Sequence, residues 1–91
     1  MPELEDSSQP RLATGCRWTG EGANRTLVYP EGALRLQETA RAILERCDGQ
    51  RSFAQIVQEL ATAYNVSDPT QIRQDASAFL ERLRQKRLID F

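Results

Sequence analysis

The sequence predicts a small α+β domain in which a three-stranded antiparallel sheet is followed by three helices. Between residues 27 and 49 the spacing of apolar side chains changes from two to about 3.6, so a β-hairpin feeds straight into an amphipathic helix. Two later stretches repeat apolar residues with helical spacing, and each opens on a helix-start signal. The order β-β-β-α-α-α packs naturally as helices on one face of an antiparallel sheet.

Met1 to Pro10 (MPELEDSSQP) is acidic and lacks the apolar stretch of a signal peptide, so it is expected to be a mobile tail. Residues 11–91 form the single domain. Arg11 to Trp18 and Arg25 to Tyr29 read as two strands, joined by Thr19-Gly20-Glu21-Gly22-Ala23-Asn24, where Gly and Asn supply the positive φ of a turn. Tyr29-Pro30-Glu31-Gly32 suits a type I turn, because the fixed φ of proline matches the first central position. A third strand, Ala33 to Leu36, puts Leu34 and Leu36 on the inward face and Arg35 on the other. Trp18 and Tyr29, the largest side chains of the sheet, read as core or as partner contacts.

The first helix is expected from about Gln37 to Cys47, with Ala40, Ile43, Leu44 and Cys47 on one stripe and Gly49 free to take the left-handed conformation beyond it. The second starts at Ser52, where Ser52-Phe53-Ala54-Gln55 fits a capping box. Its stripe is Phe53, Ile56, Val57, Leu60, Ala61 and Tyr64. Asp68-Pro69 opens the third, a carboxylate cap followed by proline at the first helical position. That helix buries Ile72, Ala76, Phe79, Leu80 and Leu83, and Leu88-Ile89-Asp90-Phe91 is expected to dock on the core.

Composition narrows the function classes. Ninety-one residues make one modest core. A net charge of −1 supplies no global field for nucleic acid or an anionic membrane, and no apolar run reaches the roughly 18 residues of a membrane span. The chain has no histidine, which removes His-based catalysis and Cys/His zinc sites. Cys16 and Cys47 are expected to be free thiols in a reducing cytoplasm. Glu31, Glu38, Glu45, Asp48, Asp75 and Glu81 are scattered over solvent faces, and no glycine-rich loop is placed to cradle a phosphate. The expectation is no catalytic site, no metal and no cofactor.

Two surface features remain. Arg82, Arg84, Lys86 and Arg87 cluster at the end of the third helix. A three-helix unit with a β-wing is winged-helix-like, so a nucleic-acid-binding regulator is the alternative reading, although cations there also complement the helix dipole. The other feature is the third strand. Gly32-Ala33-Leu34-Arg35-Leu36 carries one charge and no internal proline, so its edge is poorly blocked against an added strand. Proline in place of Leu34 is expected to remove a main-chain donor from that edge.

The segments Leu-Val-Tyr-Pro-Glu-Gly-Ala-Leu-Arg-Leu, Thr-Ala-Arg-Ala-Ile-Leu, Cys-Asp-Gly and Phe-Ala-Gln-Ile-Val resemble the pyrroloquinoline quinone biosynthesis protein D family (PqqD). Pro10-Arg11-Leu12 upstream, with Asp75 and Phe79-Leu80-Glu81-Arg82-Leu83 downstream, extend the likeness over residues 10–89. Gln37 departs from the usual asparagine, a better N-cap, and Ala76 from a common valine. The resemblance implies a peptide chaperone in the biosynthesis of pyrroloquinoline quinone (PQQ). It would bind the precursor peptide PqqA and present it to the radical S-adenosylmethionine enzyme PqqE, which cross-links a glutamate and a tyrosine of the precursor. It also implies main-chain pairing at Gly32, Ala33, Leu34, Arg35 and Leu36, and a helix wall of Arg73, Ala76, Ser77 and Leu80. A homodimer through the open edge is compatible with this reading.

Overall fold

In the computed structural model, which describes residues 4–21 and 25–91, the segment expected to be one strand from Arg11 to Trp18 divides in two. Gly15 has a φ of +92°, and a Cβ there would meet the Pro30 ring at 3.2 Å, so the chain bends sharply where only glycine fits easily. Before the bend, β1 (Arg11–Leu12) pairs antiparallel with β5 (Ile89–Asp90) at the C-terminus. After it, β2 (Arg17–Thr19) pairs with β3 (Thr26–Tyr29). The turn residues Gly22, Ala23 and Asn24 lie outside the described residues.

The three-stranded antiparallel sheet expected from the sequence is present, with order β2-β3-β4, where β4 spans Gly32–Arg35. Three helices follow it, giving the α+β, winged-helix-like arrangement. Helix α1 runs from Glu38 to Glu45, shorter than expected at both ends. Gln37 makes no side-chain cap, and the C-terminal turn tightens as the Arg46 and Cys47 N–H groups donate to Ile43 and Leu44. Gly49 lies farther on, at φ +77°, and its N–H donates to the Pro10 carbonyl at 3.0 Å. Asp48 fills the gap: its Oδ1 accepts from the Arg51 and Gln50 N–H groups, in that order of effect, which holds its carboxyl below the usual carboxylate range.

Helix α2 (Phe53–Ala63) carries the expected capping box, with Gln55 N–H donating to Ser52 Oγ at 3.2 Å and Ser52 N–H donating to Gln55 Oε1 at 2.8 Å. Tyr64 sits at its C-cap and is 39% exposed, so it belongs to the surface rather than to the buried stripe. Helix α3 (Thr70–Gln85) starts one residue later than expected, with Asp68 accepting from the Thr70 N–H and hydroxyl. Both helices end in Schellman motifs. Val66 N–H donates to Ala61 and Asn65 N–H to Thr62; Leu88 N–H donates to Leu83 and Arg87 N–H to Arg84. Asn65 and Arg87 take the left-handed positions, at φ 56° and 63°.

The core lies between the sheet and the helices, centred on Leu27, Leu44, Phe53, Ile56, Leu60 and Leu80. The C-terminal tail docks as expected, with Leu88 and Ile89 buried. Residues 4–10, expected to be a mobile tail, lie against the start of α2. The Phe53 N–H donates to the Ser8 carbonyl at 2.7 Å and the Ala54 N–H to the Asp6 carbonyl at 3.1 Å. These bonds satisfy two of the donors that any helix start leaves over. Pro10 is fully buried. Among the described residues no helix is long and apolar enough to cross a membrane.

Candidate functional site

Strand β4 has β3 on one side and no strand on the other among the described residues. Its register follows from the loop before it. Tyr29 pairs with Gly32 across the two-residue loop Pro30–Glu31, Val28 with Ala33, Leu27 with Leu34 and Thr26 with Arg35. The pair closing a two-residue loop exchanges hydrogen bonds, and antiparallel pairs then alternate. Gly32 and Leu34 therefore turn their backbone groups toward β3, while Ala33 and Arg35 turn theirs to the vacant side. This corrects the choice of Leu34 as a guest-binding donor. Proline at 34 would break the sheet's own ladder; proline at 33 removes an edge donor.

Side chains alternate as well. Trp18, Leu27, Tyr29, Leu34 and Leu36 pack on the core, whereas Arg17, Thr19, Ala33 and Arg35 are exposed on the outer face. Trp18 is braced by Arg25, whose guanidinium lies 4.4 Å from the ring centroid and also pairs with Glu45. A chain laid along β4 would thus meet backbone donors and acceptors at Ala33 and Arg35, with apolar flanks from Leu34 and Leu36.

The residues Arg73, Ala76, Ser77 and Leu80, expected from the resemblance as a helix wall, do not share a surface. Ala76 and Leu80 are fully buried in the core and offer none in this conformation. Arg73 pairs with Asp6 and lies over the Phe53 ring at 5.2 Å, so it faces the N-terminal segment. Ser77 lines the same groove of about 420 Å³, together with Leu4, Phe53 and Thr70. At 100° per residue, Ile72 and Phe79 fall on the opposite flank of the buried stripe. Both are half-buried and join the cluster that includes Leu34 and Leu36. The sequence reading assigned them wholly to the core; helical spacing marks the stripe but not how far its margin opens.

The remaining candidate chemistry is sparse. Arg84 stacks on Phe91 at 4.9 Å, which ties part of the C-terminal cation cluster to the domain itself. Cys16 and Cys47 are free thiols. Cys47 is buried and donates to the Ile43 carbonyl at 3.3 Å; burial, aided by the Asp48 charge, pushes its thiol up to about 12. Among the described residues no cluster of carboxylates and thiols could hold a metal ion.

Comparison with known proteins converges on one family. The model of Coenzyme PQQ synthesis protein D (PqqD) matches residues 25–89. The PqqA binding protein of Xanthomonas euvesicatoria pv. vesicatoria is 39% identical over 91 residues, covering 98% of each chain. That of Azotobacter vinelandii is 38% identical over 92 residues, covering 99% of this chain and 98% of its own. Among solved structures, the solution NMR structure of the PqqD truncation of Methylobacterium extorquens PqqCD superposes with a TM-score of 0.78 at 32% identity. It covers 97% of this chain and 95% of that one. That protein represents a functional and stand-alone recognition element for ribosomally synthesized and post-translationally modified peptides.

Proposed function

The chain belongs to the PqqD family, and from that premise we propose that it binds the precursor peptide PqqA as an added strand along β4 and presents it to the radical S-adenosylmethionine enzyme PqqE. The observation that carries the proposal is the edge at Ala33 and Arg35, beside which no strand lies among the described residues. Main-chain bonds to that edge supply affinity, and side-chain pockets on either face supply specificity. Leu34 on β4 and Leu36 just beyond its end, with Ile72 and Phe79 on α3, are the half-buried apolar side chains available to a guest. Two relatives named for binding PqqA support the choice of guest.

The role is that of an adaptor rather than a catalyst. Ordering a flexible peptide opposes association by about 2–5 kcal/mol, so affinity is moderate for the contact made. Presentation works through effective concentration: a peptide held beside the enzyme reacts as though far more abundant. A homodimer paired through the same edge would compete with the peptide for the same donors. A net charge of −1 supplies no global field for nucleic acid, so the cations Arg82, Lys86 and Arg87 add little weight to the nucleic-acid reading.

Isothermal titration with PqqA tests the site. Wild type binds, and Ala33→Pro, which removes an outward N–H while sparing the ladder to β3, binds at least tenfold more weakly. Equal binding by the two proteins contradicts strand addition here. Presentation is tested by the rate at which PqqE cross-links PqqA. Wild type accelerates the reaction and Ala33→Pro does not; a rate indifferent to both contradicts the adaptor role.

A further inference from the structure

The outer face of the sheet carries a charge pattern that bears on which peptide fits. The exposed strand positions there include Arg17 and Arg35 but no carboxylate. Arg25, Arg46, Arg51 and Arg73 each hold a carboxylate of this chain. Arg35 makes no ion pair with any described residue, and its own backbone groups point to the vacant edge. A residue paired with Arg35 on an added strand projects its side chain on the same outer face, whichever way the guest runs. Opposed side chains in such a pair approach within about 4.5–5.5 Å.

Resting on the strand-addition reading, we propose that Arg35 sets the register of the guest by pairing with a carboxylate on it. The guest residues on either side of that carboxylate turn inward and seat apolar side chains against Leu34 and Leu36. The recognised class is therefore an extended peptide with an acidic residue flanked on both sides by apolar ones. A one-residue slip would point the carboxylate at Leu34 and the apolar groups at water, so the pairing fixes register as well as adding affinity. A cation at an edge can instead serve only to repel unwanted strands. The two roles differ in sign: a repelling cation, once removed, leaves guest binding unchanged or stronger.

Titration of PqqA against wild type, Arg35→Gln and Arg35→Glu separates them, and thermal unfolding checks that these exposed substitutions leave the fold intact. The pairing predicts binding about threefold weaker for Arg35→Gln and about tenfold weaker for Arg35→Glu. It also predicts that one PqqA variant, from a set in which each acidic residue is replaced in turn by lysine, binds Arg35→Glu more tightly than it binds wild type. Arg35→Gln binding as well as wild type, or no peptide in the set showing the reversal, overturns the pairing. Ala33→Pro keeps the two levels apart. If it loses binding while the Arg35 variants retain theirs, only the pairing falls; if it binds as wild type does, strand addition falls and the pairing with it.

Discussion

Leu27 and Leu34 stand opposite each other across β3 and β4, both on the core side of the sheet. Their pairing turns the Leu34 N–H inward and leaves the amides of Ala33 and Arg35 to the vacant edge. Everything asked of β4 follows from that alternation.

The first consequence is a contrast between neighbouring prolines. Leu34→Pro removes an internal ladder bond and a half-buried side chain, and lowers stability by about 2–4 kcal/mol. Ala33→Pro, at an edge position that tolerates proline, stays within about 1 kcal/mol of wild type. Urea unfolding of the two variants measures the difference, and comparable losses would mean the register is shifted by one residue.

Deleting residues 1–9 strips the Ser8 and Asp6 carbonyls from the start of α2, along with the Asp6–Arg73 pair and the packing of Leu4. The expected loss is about 1–3 kcal/mol. For a chain of this size Tm falls by about 4–8 °C per kcal/mol, which calorimetry resolves.

Arg87 holds a left-handed conformation that a Cβ disfavours, at the C-terminal stop of α3. Arg87→Gly is expected to raise stability by about 0.5–1 kcal/mol, seen as a higher Tm. Asn65→Gly gains less, since asparagine tolerates that conformation better.

Cys47 gives a pH signature. Its thiol is pushed from an ordinary 9.0 up to about 12 by burial, with the Asp48 charge adding to it. The folded state therefore holds its proton more tightly than the unfolded chain. The resulting stability is fully present below about pH 9 and is lost as pH rises toward 12. Wild type measured against Cys47→Ala shows this as a difference that shrinks across that window. Near pH 8 a thiol reagent labels Cys16 in the folded protein, whereas Cys47 reacts only on unfolding.

Local signals made much of this fold legible. The Ser52–Gln55 box and the Tyr29-Pro30-Glu31-Gly32 turn act within a few residues and appear where the sequence puts them. The centres of the helical stripes do too, whereas their margins (Ala40, Tyr64, Ile72 and Phe79) are more exposed than spacing alone implies. The pairing of β1 with β5 joins residues nearly eighty positions apart and has no local signature, so Arg11 to Trp18 read as one strand. Helix α1 is shorter than its apolar spacing implies, because that spacing continues to Cys47 after the backbone has tightened beyond Glu45. At the edge, the strand was legible but the roles within it were not. The two-residue turn already fixed which amides point outward, and the alternation had only to be followed from it. Arg73 and Ser77 lie on the flank of α3 beside Phe53 and the N-terminal segment, and helical spacing alone does not say which neighbour each margin of a buried stripe meets.

Amide hydrogen exchange, followed residue by residue with and without PqqA, addresses the edge itself. In the free protein the Leu34 amide is protected by its bond to β3, while those of Ala33 and Arg35 exchange quickly. Added peptide slows Ala33 and Arg35 and leaves Leu34 as it was. If Ala33 and Arg35 are protected before the peptide is added, or exchange just as fast once it is bound, the guest does not join the sheet at β4.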